Sequence, residues 1–466
     1  MEHIHFVGIG GSGLSAIARL LKEMGYSVTG SDRADSPFAR DLRLAGVIIN
    51  IGHNPGNIGS ADVVVRSSAI ADDNPEVLAA RKAGIPVLKR ADFLGRLMKG
   101  KTGIAVAGTH GKTTTTAMIA WLLTELGQEP SFIIGGVLAN LGVNAHAGKG
   151  QTFVIEADEY DHMFLGLQPV IEVVTNIEHD HPDCYPTPAD FQAAFVEFMK
   201  LLPADGVLVA CAEDAGSAAL LAEARKAGRK MVAYGISDQC SVYSEQLSVN
   251  SDQWAQAKNV KANDKGGFSF EAQVTRHSSL VTLQVPGRHN VLNALAALTV
   301  ASLLGLSLEM AAEALARFTG TGRRFEMRGE VNGVTIIDDY AHHPTEIRAT
   351  LAAARSRYAG RRIWAIWQPH TYSRTQTLFN AFTQAFGDAD RVIVTEVYAA
   401  REAKQAFSAA QVVQAMPHPK AMFIASLPAV SDYLLSHTQP GDVLLVLSAG
   451  DADQVSTQVL AHMQAN

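Results

Sequence analysis

A glycine-rich turn that ends in lysine and threonine is the segment whose residue types point most directly to chemistry. It lies between an apolar strand pattern and a helix pattern, and its residues are Gly108, Thr109, His110, Gly111, Lys112, Thr113 and Thr114. At such a helix start, backbone N–H groups cradle phosphates, the lysine neutralises their charge and the threonine hydroxyl binds Mg²⁺. Val106 stands where the common pattern has a glycine, so this loop is shorter than usual. The turn predicts binding of ATP or GTP.

Two acidic clusters follow later apolar strands of the same segment, at residues 156–161 (EADEYD) and 175–183 (TNIEHDHPD). Because the carboxyl ends of parallel strands meet at one edge of a sheet, both clusters can reach a metal ion held at the phosphates. Mg²⁺ prefers carboxylates and water and tolerates one imidazole. A solvated loop would explain either cluster alone, but the pair favours a Mg²⁺ site. The sequence has no HExxH spacing, which argues against a catalytic zinc, and Cys184 is interpreted as a packed thiol.

A second glycine-rich turn near the N-terminus has the spacing of a diphosphate-binding loop. Residues 8–13 (GIGGSG) match G-x-G-x-x-G between a strand and a helix, and Asp32 ends the next strand. This pattern leaves NAD, FAD and a nucleotide-sugar diphosphate open, with an unliganded tight turn as the alternative. The candidate ligand contacts are Gly8, Gly10, Gly11, Ser12, Gly13 and Asp32, and, where later strands should end, His53, Ser67 and Ser68.

Further polar groups follow strand and helix patterns in the second half of the chain. Asn290 and Asn293, one helical turn apart, could read a base edge, although Asn290 could equally cap the helix. The guanidiniums of Arg323 and Arg324 suit a phosphate or a carboxylate. Two more strand ends carry the runs at 338–345 (DDYAHHPT) and 368–374 (QPHTYSR). Such a density of directional groups is typical of a ligand site.

The elements that must position these residues alternate between short apolar strands and helices, which predicts an α/β fold with mostly parallel sheets. A length of 466 residues suggests about three domains. We place them at residues 1–91, 92–318 and 319–466. The first boundary falls in a polar, basic stretch at residues 89–101. The segment from about 236 to 280 is polar and weakly patterned, and it indicates little about function.

Composition excludes several classes of protein. The hydrophobic fraction of 47% is sufficient for packed cores, and a formal net charge of −7 argues against a dedicated nucleic-acid binder. Cys184, Cys211 and Cys240 lie far apart, which excludes a disulfide framework and fits a reducing compartment. There is no signal-peptide pattern, and no apolar run reaches the ~18 residues of a membrane span. These features predict a cytoplasmic protein without membrane insertion.

Taken in order, the segments GIGGSG, AGTHGKTTTTAM, EADEYD, TNIEHDHPD, GRHNVLNALAA, GRRFE, DDYAHHPTE and QPHTYSR resemble the Mur ligase family over essentially the whole chain. The resemblance is strongest to the branch that adds L-alanine to UDP-N-acetylmuramate. It implies a Rossmann-like N-terminal domain for the UDP-sugar, a central P-loop ATPase domain and a Rossmann-like C-terminal domain that closes over ATP and the amino acid. The shortened phosphate loop then fits, because the family's loop resembles GT[HN]GKT.

The resemblance also implies a role for each candidate residue. Lys112 would bind the ATP phosphates, and Thr113, Glu156 and His181 would hold Mg²⁺. His289, Asn290 and Asn293 would lie near adenine, and Asp339 would contact the ribose. The acyl phosphate, the amino acid or the phosphates would be faced by Arg324, His343, Arg374 and His370, and Tyr340 would limit the amino-acid pocket. The implied reaction is ATP-dependent ligation through an acyl phosphate in peptidoglycan precursor synthesis, by a monomer or a homodimer.

Four alternatives remain at this point. A ligase that recycles a whole tripeptide shares EADEYD, and a glycine-accepting variant would use the same chemistry. An NAD-dependent oxidoreductase would use the N-terminal glycine turn, and a regulatory module would bind a nucleotide without chemistry. Neither alternative explains both the phosphate loop and the acidic clusters. Two positions depart from or extend the family pattern: Tyr160 stands where many alanine-adding members have serine, and Lys200 is only loosely placed for the carbamylated lysine of sister ligases.

Overall fold

The computed structural model describes residues 1–236, 254–400 and 402–465, and of Ser12 only the backbone. Cys240 therefore lies outside the described residues. Three separate sheets, each flanked by helices, follow one another along the chain. The predicted α/β class with three units is confirmed. Among the described residues, no helix has both the length and the apolar character needed to cross a membrane.

The N-terminal sheet is entirely parallel, with strand order β3-β2-β1-β4-β5. Its strands are β1 (His3–Val7), β2 (Ser27–Asp32), β3 (Ile48–Ile51), β4 (Val63–Arg66) and β5 (Val87–Lys89). Its helices are α1 (Ser12–Glu23), α2 (Pro37–Leu44), α3 (Pro75–Lys82) and α4 (Arg90–Met98). Because all five strands run the same way, their carboxyl ends and the glycine turn after β1 share one edge.

The polar stretch predicted between the first two domains is in fact helix α4. Asp92 and Arg96 are exposed and Arg90 pairs with Asp158, whereas the apolar residues are buried: Phe93, Leu94, Leu97 and Met98. Those four apolar positions recur with helical spacing. The charges at both ends of the segment concealed that period in the sequence.

The central sheet has ten strands in the order β15-β14-β13-β12-β11-β10-β6-β9-β7-β8. Its strands are β6 (Thr102–Ala107), β7 (Ser131–Leu138), β8 (Val143–His146), β9 (Thr152–Glu156), β10 (Ile171–Val174), β11 (Val207–Cys211), β12 (Lys230–Ile236), β13 (Trp254–Ala262), β14 (Phe268–Val274) and β15 (His277–Thr282). Its helices are α5 (Lys112–Glu125), α6 (Pro188–Met199), α7 (Ala215–Lys226), α8 (His289–Leu303) and α9 (Leu308–Leu315). Strand β6, which leads into the phosphate loop, lies between β9 and β10.

The weakly patterned segment forms a regular antiparallel extension of this sheet where the structure describes it, from β13 to β15. In β14, Phe270, Ala272 and Val274 are buried and alternate with more exposed residues. A period of two over seven residues is the signal of a half-buried strand, and it was available in the sequence.

The C-terminal sheet has the order β16-β17-β21-β18-β19-β20 and is parallel apart from β16. Its strands are β16 (Glu326–Val331), β17 (Val334–Asp339), β18 (Arg362–Trp367), β19 (Arg391–Val394), β20 (Ala421–Phe423) and β21 (Asp442–Leu447). Its helices are α10 (Pro344–Arg357), α11 (Tyr372–Thr377), α12 (Phe379–Thr383), α13 (Ala410–Ala415), α14 (Leu427–His437) and α15 (Asp453–Ala465). The segments DDYAHHP and QPHTYSR follow β17 and β18 at one sheet edge.

Glu172 in β10 is a buried carboxyl that no candidate site uses. Neither carboxyl oxygen has a hydrogen-bond partner among the described residues, and burial raises the pKa of Glu172 well above its usual value, against the weaker opposing charge of Arg229. Burial therefore favours the protonated carboxyl in the folded chain relative to the unfolded chain. The folded chain has its full stability at pH values below the pKa of Glu172 in the unfolded chain. Stability then falls as the pH rises toward the higher pKa of Glu172 in the folded chain.

We expect Glu172→Gln to match the wild type near pH 5 and to be more stable at about pH 8, because glutamine cannot ionise. The advantage should grow by up to about 1.4 kcal/mol per pH unit within that window. Urea denaturation followed by circular dichroism at several pH values measures the difference. Parallel pH profiles for the two proteins would show that Glu172 is ionised in the folded state and would contradict the prediction.

Candidate active site

The phosphate loop joins β6 to α5, with Gly111 as the residue before the helix. Gly111 has φ +81°, a conformation that side-chain-bearing residues rarely adopt. A Cβ on Gly111 would also lie 2.8 Å from Oδ1 of Asn293 on α8. The predicted strand–loop–helix arrangement is present, and the loop is packed directly against the helix that carries Asn290 and Asn293.

Two of the three predicted metal ligands are in direct contact at the start of α5. The Thr113 hydroxyl donates to Oε1 of Glu156 at 3.0 Å, and Oε2 of Glu156 accepts from the Gly135 N–H at 2.6 Å. Burial raises the pKa of the Glu156 carboxyl, although Lys112 and the hydrogen bonds oppose that rise. A hydroxyl beside a carboxylate at a helix N-terminus is a donor set that suits Mg²⁺.

His181, the third predicted ligand, contacts a carboxylate that was not among the predicted site residues. Its Nε2 lies 3.7 Å from Oε1 of Glu159, and the same oxygen lies 2.9 Å from the Lys112 ammonium. The second oxygen, Oε2 of Glu159, is buried without a hydrogen-bond partner among the described residues. A buried, unpartnered carboxylate oxygen between the lysine and the histidine fits a cation at this point.

The Lys112 ammonium makes hydrogen bonds within the phosphate loop and to Glu159. It donates to the carbonyl oxygens of Gly108 and Thr109 and to Glu159. Burial would lower the pKa of Lys112, but the carboxylates of Glu159, Asp158 and Glu156 outweigh it and raise that pKa. The ammonium is therefore held charged beside the phosphate-binding backbone.

His110 in the same loop bridges two units of the protein. Its Nε2 lies 2.9 Å from Glu178 in the central unit, and its Nδ1 lies 3.0 Å from Glu346 on α10 in the C-terminal unit. Burial would lower the pKa of His110, but the hydrogen bonds to both carboxylates outweigh it and raise the pKa to about 9. His110, Glu178 and His343 lie close enough for a metal site. An imidazolium that donates a hydrogen bond from each nitrogen has no lone pair for a metal. We therefore interpret His110, Glu178 and Glu346 as an ionic clamp between the two units.

His343 caps α10 beside this clamp. Its Nδ1 accepts from the Thr345 N–H at 3.3 Å, and its ring centroid lies 4.8 Å from that of His110. Burial and the His110 cation lower the pKa of His343 to about 4. The neutral ring therefore carries its proton on Nε2, which is buried and has no partner among the described residues. This nitrogen can donate a hydrogen bond to a bound ligand.

A second contact between units joins Asp180 to Arg374. The guanidinium of Arg374, on α11, makes three hydrogen bonds of 2.9–3.1 Å to the Asp180 carboxylate. Both side chains are buried, and Arg374 keeps the pKa of Asp180 well below its usual range although burial opposes this. The third guanidinium nitrogen, Nη1, lies 3.1 Å from Nδ1 of His370. The predicted residues Arg374 and His370 are thus neighbours.

Four aromatic or imidazole rings form a row along the C-terminal sheet edge. Tyr340 lies 5.3 Å from His342, His342 lies 5.9 Å from His370, and His370 is stacked 5.8 Å from Tyr398. The guanidinium of Arg324 lies 5.0 Å from the Tyr340 ring centroid. The row brings together predicted residues from two strand ends and adds two rings that sequence reasoning missed, His342 and Tyr398.

The predicted adenine and ribose contacts lie on α8 and at the end of β17. Asn293 donates to Oδ1 of Asn290, and Asn290 donates to the Pro286 carbonyl, so Asn290 does not cap the helix. His289 is exposed at the first turn. Asp339 accepts from the N–H groups of Phe325 and Ala341 at 2.7 Å, and burial raises its pKa to about 6.

In the N-terminal unit, Asp32 holds the glycine turn against the end of β2. Its Oδ2 accepts from the Gly10 N–H at 2.8 Å, and a Cβ on Gly10 would lie 2.9 Å from that oxygen. Ser67 follows β4 and donates its N–H to the Val7 carbonyl, whereas Ser68 is exposed. His53 contacts Ser31. The side chain of Ser12 lies outside the described residues.

The contacts that sequence reasoning missed are mostly the acidic partners of predicted residues. They are Glu159, Glu178, Asp180 and Glu346. The first three lie inside the two acidic clusters, but a turn does not reveal which of its acids points inward. Lys200 lies at the end of α6, is more than half exposed and pairs with Glu197 on the surface.

Comparison with known proteins matches three successive parts of the chain to domains of one family. Residues 3–102 match the model of the Mur ligase family catalytic domain, residues 106–301 the Mur ligase middle domain, and residues 323–450 the Mur ligase glutamate ligase domain. A UDP-N-acetylmuramate–L-alanine ligase of Nitratidesulfovibrio vulgaris is 44% identical, with 98% of each chain covered. One of Geobacter sulfurreducens is 42% identical over 100% of this chain and 98% of the relative.

Solved structures agree. The UDP-N-acetylmuramate–alanine ligase of Thermotoga maritima superposes with a TM-score of 0.81 at 30% identity, with both chains covered completely. A murein peptide ligase of Psychrobacter arcticus superposes with a TM-score of 0.71 at 26% identity over 99% of both chains. The chain belongs to the Mur ligase family.

Proposed function

We propose that the protein joins L-alanine to the lactyl carboxylate of UDP-N-acetylmuramate at the expense of ATP, as a cytoplasmic step of peptidoglycan precursor synthesis. The observation that carries the proposal is the contact between two sheet edges. His110 and Asp180, from the edge with the phosphate loop, pair with Glu346 and Arg374, from the edge with the aromatic row. A nucleotide on one edge and an amino acid on the other would therefore meet. The names of the full-length relatives support this substrate pair.

The first step requires a better electrophile than a carboxylate. A carboxylate oxygen of the substrate attacks the γ-phosphorus of ATP, ADP leaves, and an acyl phosphate forms. Lys112 and the N–H groups at the start of α5 stabilise the charge on the phosphates. Thr113, Glu156, His181 and Glu159 would hold Mg²⁺, which neutralises phosphate charge when bound.

The neutral amine of L-alanine then attacks the acyl carbon. As the amide bond forms, the C–O bond to phosphate breaks, and inorganic phosphate leaves with the proton that the amine loses. Arg374 and Arg324 would neutralise the carboxylate of the amino acid or the departing phosphate. His343, with its proton on buried Nε2, is suited to donate a hydrogen bond to a phosphate oxygen. The buried contacts between the units would exclude water, which would otherwise hydrolyse the acyl phosphate.

The remaining assignments follow the same division of the molecule. Residues 1–91 would bind the UDP-sugar through the turn at Gly8–Gly13, with Asp32, His53, Ser67 and Ser68 around it. Residues 92–318 would bind ATP, with His289, Asn290 and Asn293 near the adenine. Residues 319–466 would supply Asp339 to the ribose and Tyr340 and His370 to the amino-acid pocket, whose bulky rings favour a small side chain.

Phosphate release with ATP, Mg²⁺ and UDP-N-acetylmuramate tests the proposal, with L-alanine, glycine, L-serine and the tripeptide L-Ala-γ-D-Glu-meso-diaminopimelate compared as acceptors. We expect release that depends on L-alanine, with the amide product confirmed by mass spectrometry. Release with the tripeptide alone would instead make the protein a peptide-adding ligase; the structural relative from Psychrobacter arcticus is named a murein peptide ligase. Release that needs no acceptor would contradict ligation altogether.

A further inference from the structure

A buried network of hydrogen bonds lies beside the glycine turn of the N-terminal sheet, and no step of the proposed reaction uses it. Its centre is the carboxylate of Glu76, in the first turn of α3, which is fully buried. One oxygen, Oε1, accepts from the Asn54 N–H at 3.0 Å and from Asn57 Nδ2 at 2.7 Å. The other, Oε2, accepts from the Ser31 hydroxyl at 2.6 Å and lies 3.1 Å from His5 Nε2.

Ser31 connects this carboxylate to the candidate ligand edge. Its backbone carbonyl accepts from the N–H groups of Gly8 and Ile9 in the glycine turn, at 2.8 and 3.0 Å. Its hydroxyl oxygen also lies 3.1 Å from Nδ1 of His53, which follows β3 at that edge. Glu76 is thus one hydroxyl away from a residue that we place in the UDP-sugar site.

The chemistry of the network fixes the direction of each hydrogen bond. Burial would raise the pKa of Glu76, but the hydrogen bonds from His5, Ser31, Asn57 and Asn54 outweigh it and hold the pKa at about 2. An ionised carboxylate only accepts, so the single proton of the Ser31 hydroxyl points to Glu76. The Ser31 oxygen must then accept from His53, and the other group near His53 Nδ1, Oε1 of Glu76 at 3.5 Å, is also an acceptor.

With one proton on the ring, both neighbours of Nδ1 place that proton on Nδ1, and Nε2 keeps a free lone pair. The structure shows no hydrogen bond to Nε2 from any residue that it describes, and the side chain of His53 is 18% exposed. A ring fixed in this way accepts a hydrogen bond from a ligand N–H or O–H group. The opposite tautomer would present an N–H and would accept nothing.

We propose that Glu76 is a positioning residue for nucleotide recognition, which holds His53 through Ser31 so that Nε2 accepts a hydrogen bond from the uridine half of the nucleotide-sugar. The proposal rests on the proposed function, since it takes the ligand to be UDP-N-acetylmuramate. Three groups on the uridine half can donate: the uracil N3–H and the 2′- and 3′-hydroxyls of the ribose. If the uracil donates, a cytosine base is disfavoured, because its N3 is an acceptor.

Glu76→Gln and Ser31→Ala test the inference, with Glu172→Gln as the matched control for loss of a buried carboxyl outside the site. Titration calorimetry should show about tenfold or greater weakening of UDP-N-acetylmuramate binding for Glu76→Gln, which is typical of losing hydrogen bonds to a charged group. ATP binding should stay within about twofold. Glu172→Gln should bind both ligands as the wild type does. Wild-type affinity in Glu76→Gln would overturn the inference.

The tautomer itself is measurable, and it separates positioning from a merely structural role. In ¹⁵N-labelled protein, with His53→Gln used to assign the signal, the wild-type His53 ring should carry its proton on Nδ1. Ser31→Ala should shift the ring toward the Nε2–H form. A wild-type ring protonated on Nε2 would overturn the inference even if neither variant folded well enough for calorimetry.

Three ligand analogues identify the donor. UDP methylated at uracil N3, 2′-deoxy-UDP and 3′-deoxy-UDP are compared with UDP on the wild type and on Glu76→Gln. A loss of affinity confined to the wild type assigns the donor to the altered group, and equal losses in both proteins would overturn the inference. Wild-type protein that binds no UDP-N-acetylmuramate would instead contradict the proposed function, while the His53 spectrum would still decide the tautomer.

Discussion

Lys112→Ala should lower ATP-dependent ligation by at least about 10³-fold while UDP-N-acetylmuramate binding changes by less than about twofold. The Lys112 ammonium is held at the N-terminus of α5 by the carbonyls of Gly108 and Thr109 and by the Glu159 carboxylate. Lys112 is the lysine of the phosphate loop, and the transferring phosphoryl group carries charge that positioned cations and N–H groups stabilise. The UDP-sugar candidates lie on a different sheet, so their binding should not depend on this lysine.

Phosphate release and product formation measure the loss, and calorimetry measures UDP-sugar binding. Lys101→Ala is a matched control, because Lys101 belongs to the same unit and donates to the Gly150 carbonyl. It precedes β6, whereas the phosphate loop follows that strand. Lys112→Arg should not restore activity, because a planar guanidinium cannot replace a compact ammonium inside the loop. Substantial ligation by Lys112→Ala would remove the loop from the proposed mechanism.

The phosphate loop and its Thr113–Glu156 contact could be predicted because both depend on local rules. A glycine turn between a strand and a helix places backbone N–H groups at a helix start, and parallel strands bring their carboxyl ends together. Strands β9 and β10 do flank β6, as the two acidic clusters required. Local pattern was sufficient here because each partner lies directly after a strand.

The ionic contacts between units could not be predicted in the same way. His110 and Glu346 are separated by 236 positions, and Asp180 and Arg374 by 194. Nothing in the spacing of either pair indicates which acid meets which base, because the relative placement of two sheets is a property of tertiary packing. The one available signal was local: Glu346 at the third position of α10 forms a capping box with His343.

The elements themselves show the same division. Strands β6, β9 and β10 are the short apolar runs expected before the phosphate loop and the two acidic clusters. Helix α4 and strands β13–β15 were not predicted, because charge in the first case and polar residues in the second masked a correct period. In both segments the spacing of the apolar residues matches the observed element, and Phe93 and Phe270 are buried.

Arg374→Lys should lower kcat/KM for L-alanine by about 10²- to 10³-fold. This loss corresponds to about 2.8–4.2 kcal/mol, which overlaps the about 3–5 kcal/mol that breaking a buried ion pair costs. Lysine keeps the charge but cannot reproduce three hydrogen bonds to Asp180 and the contact with His370. It would leave the Asp180 carboxylate buried and poorly paired, at the point where the central and C-terminal units meet. The loss should fall on the amino-acid step, and UDP-sugar binding should be unchanged.

Asp180→Asn should cause a smaller loss in the same direction, and the double variant should lose no more than the worse single variant, because each side chain acts through the other. Arg355→Lys is the matched control, since Arg355 pairs with Asp390 within the C-terminal unit, away from the meeting edges. Steady-state kinetics with varied L-alanine, together with small-angle scattering of each variant, separates lost chemistry from lost closure of the two units. Additive losses in the double variant would show that Asp180 and Arg374 act independently, and the proposed coupling of the two sheet edges would then fail.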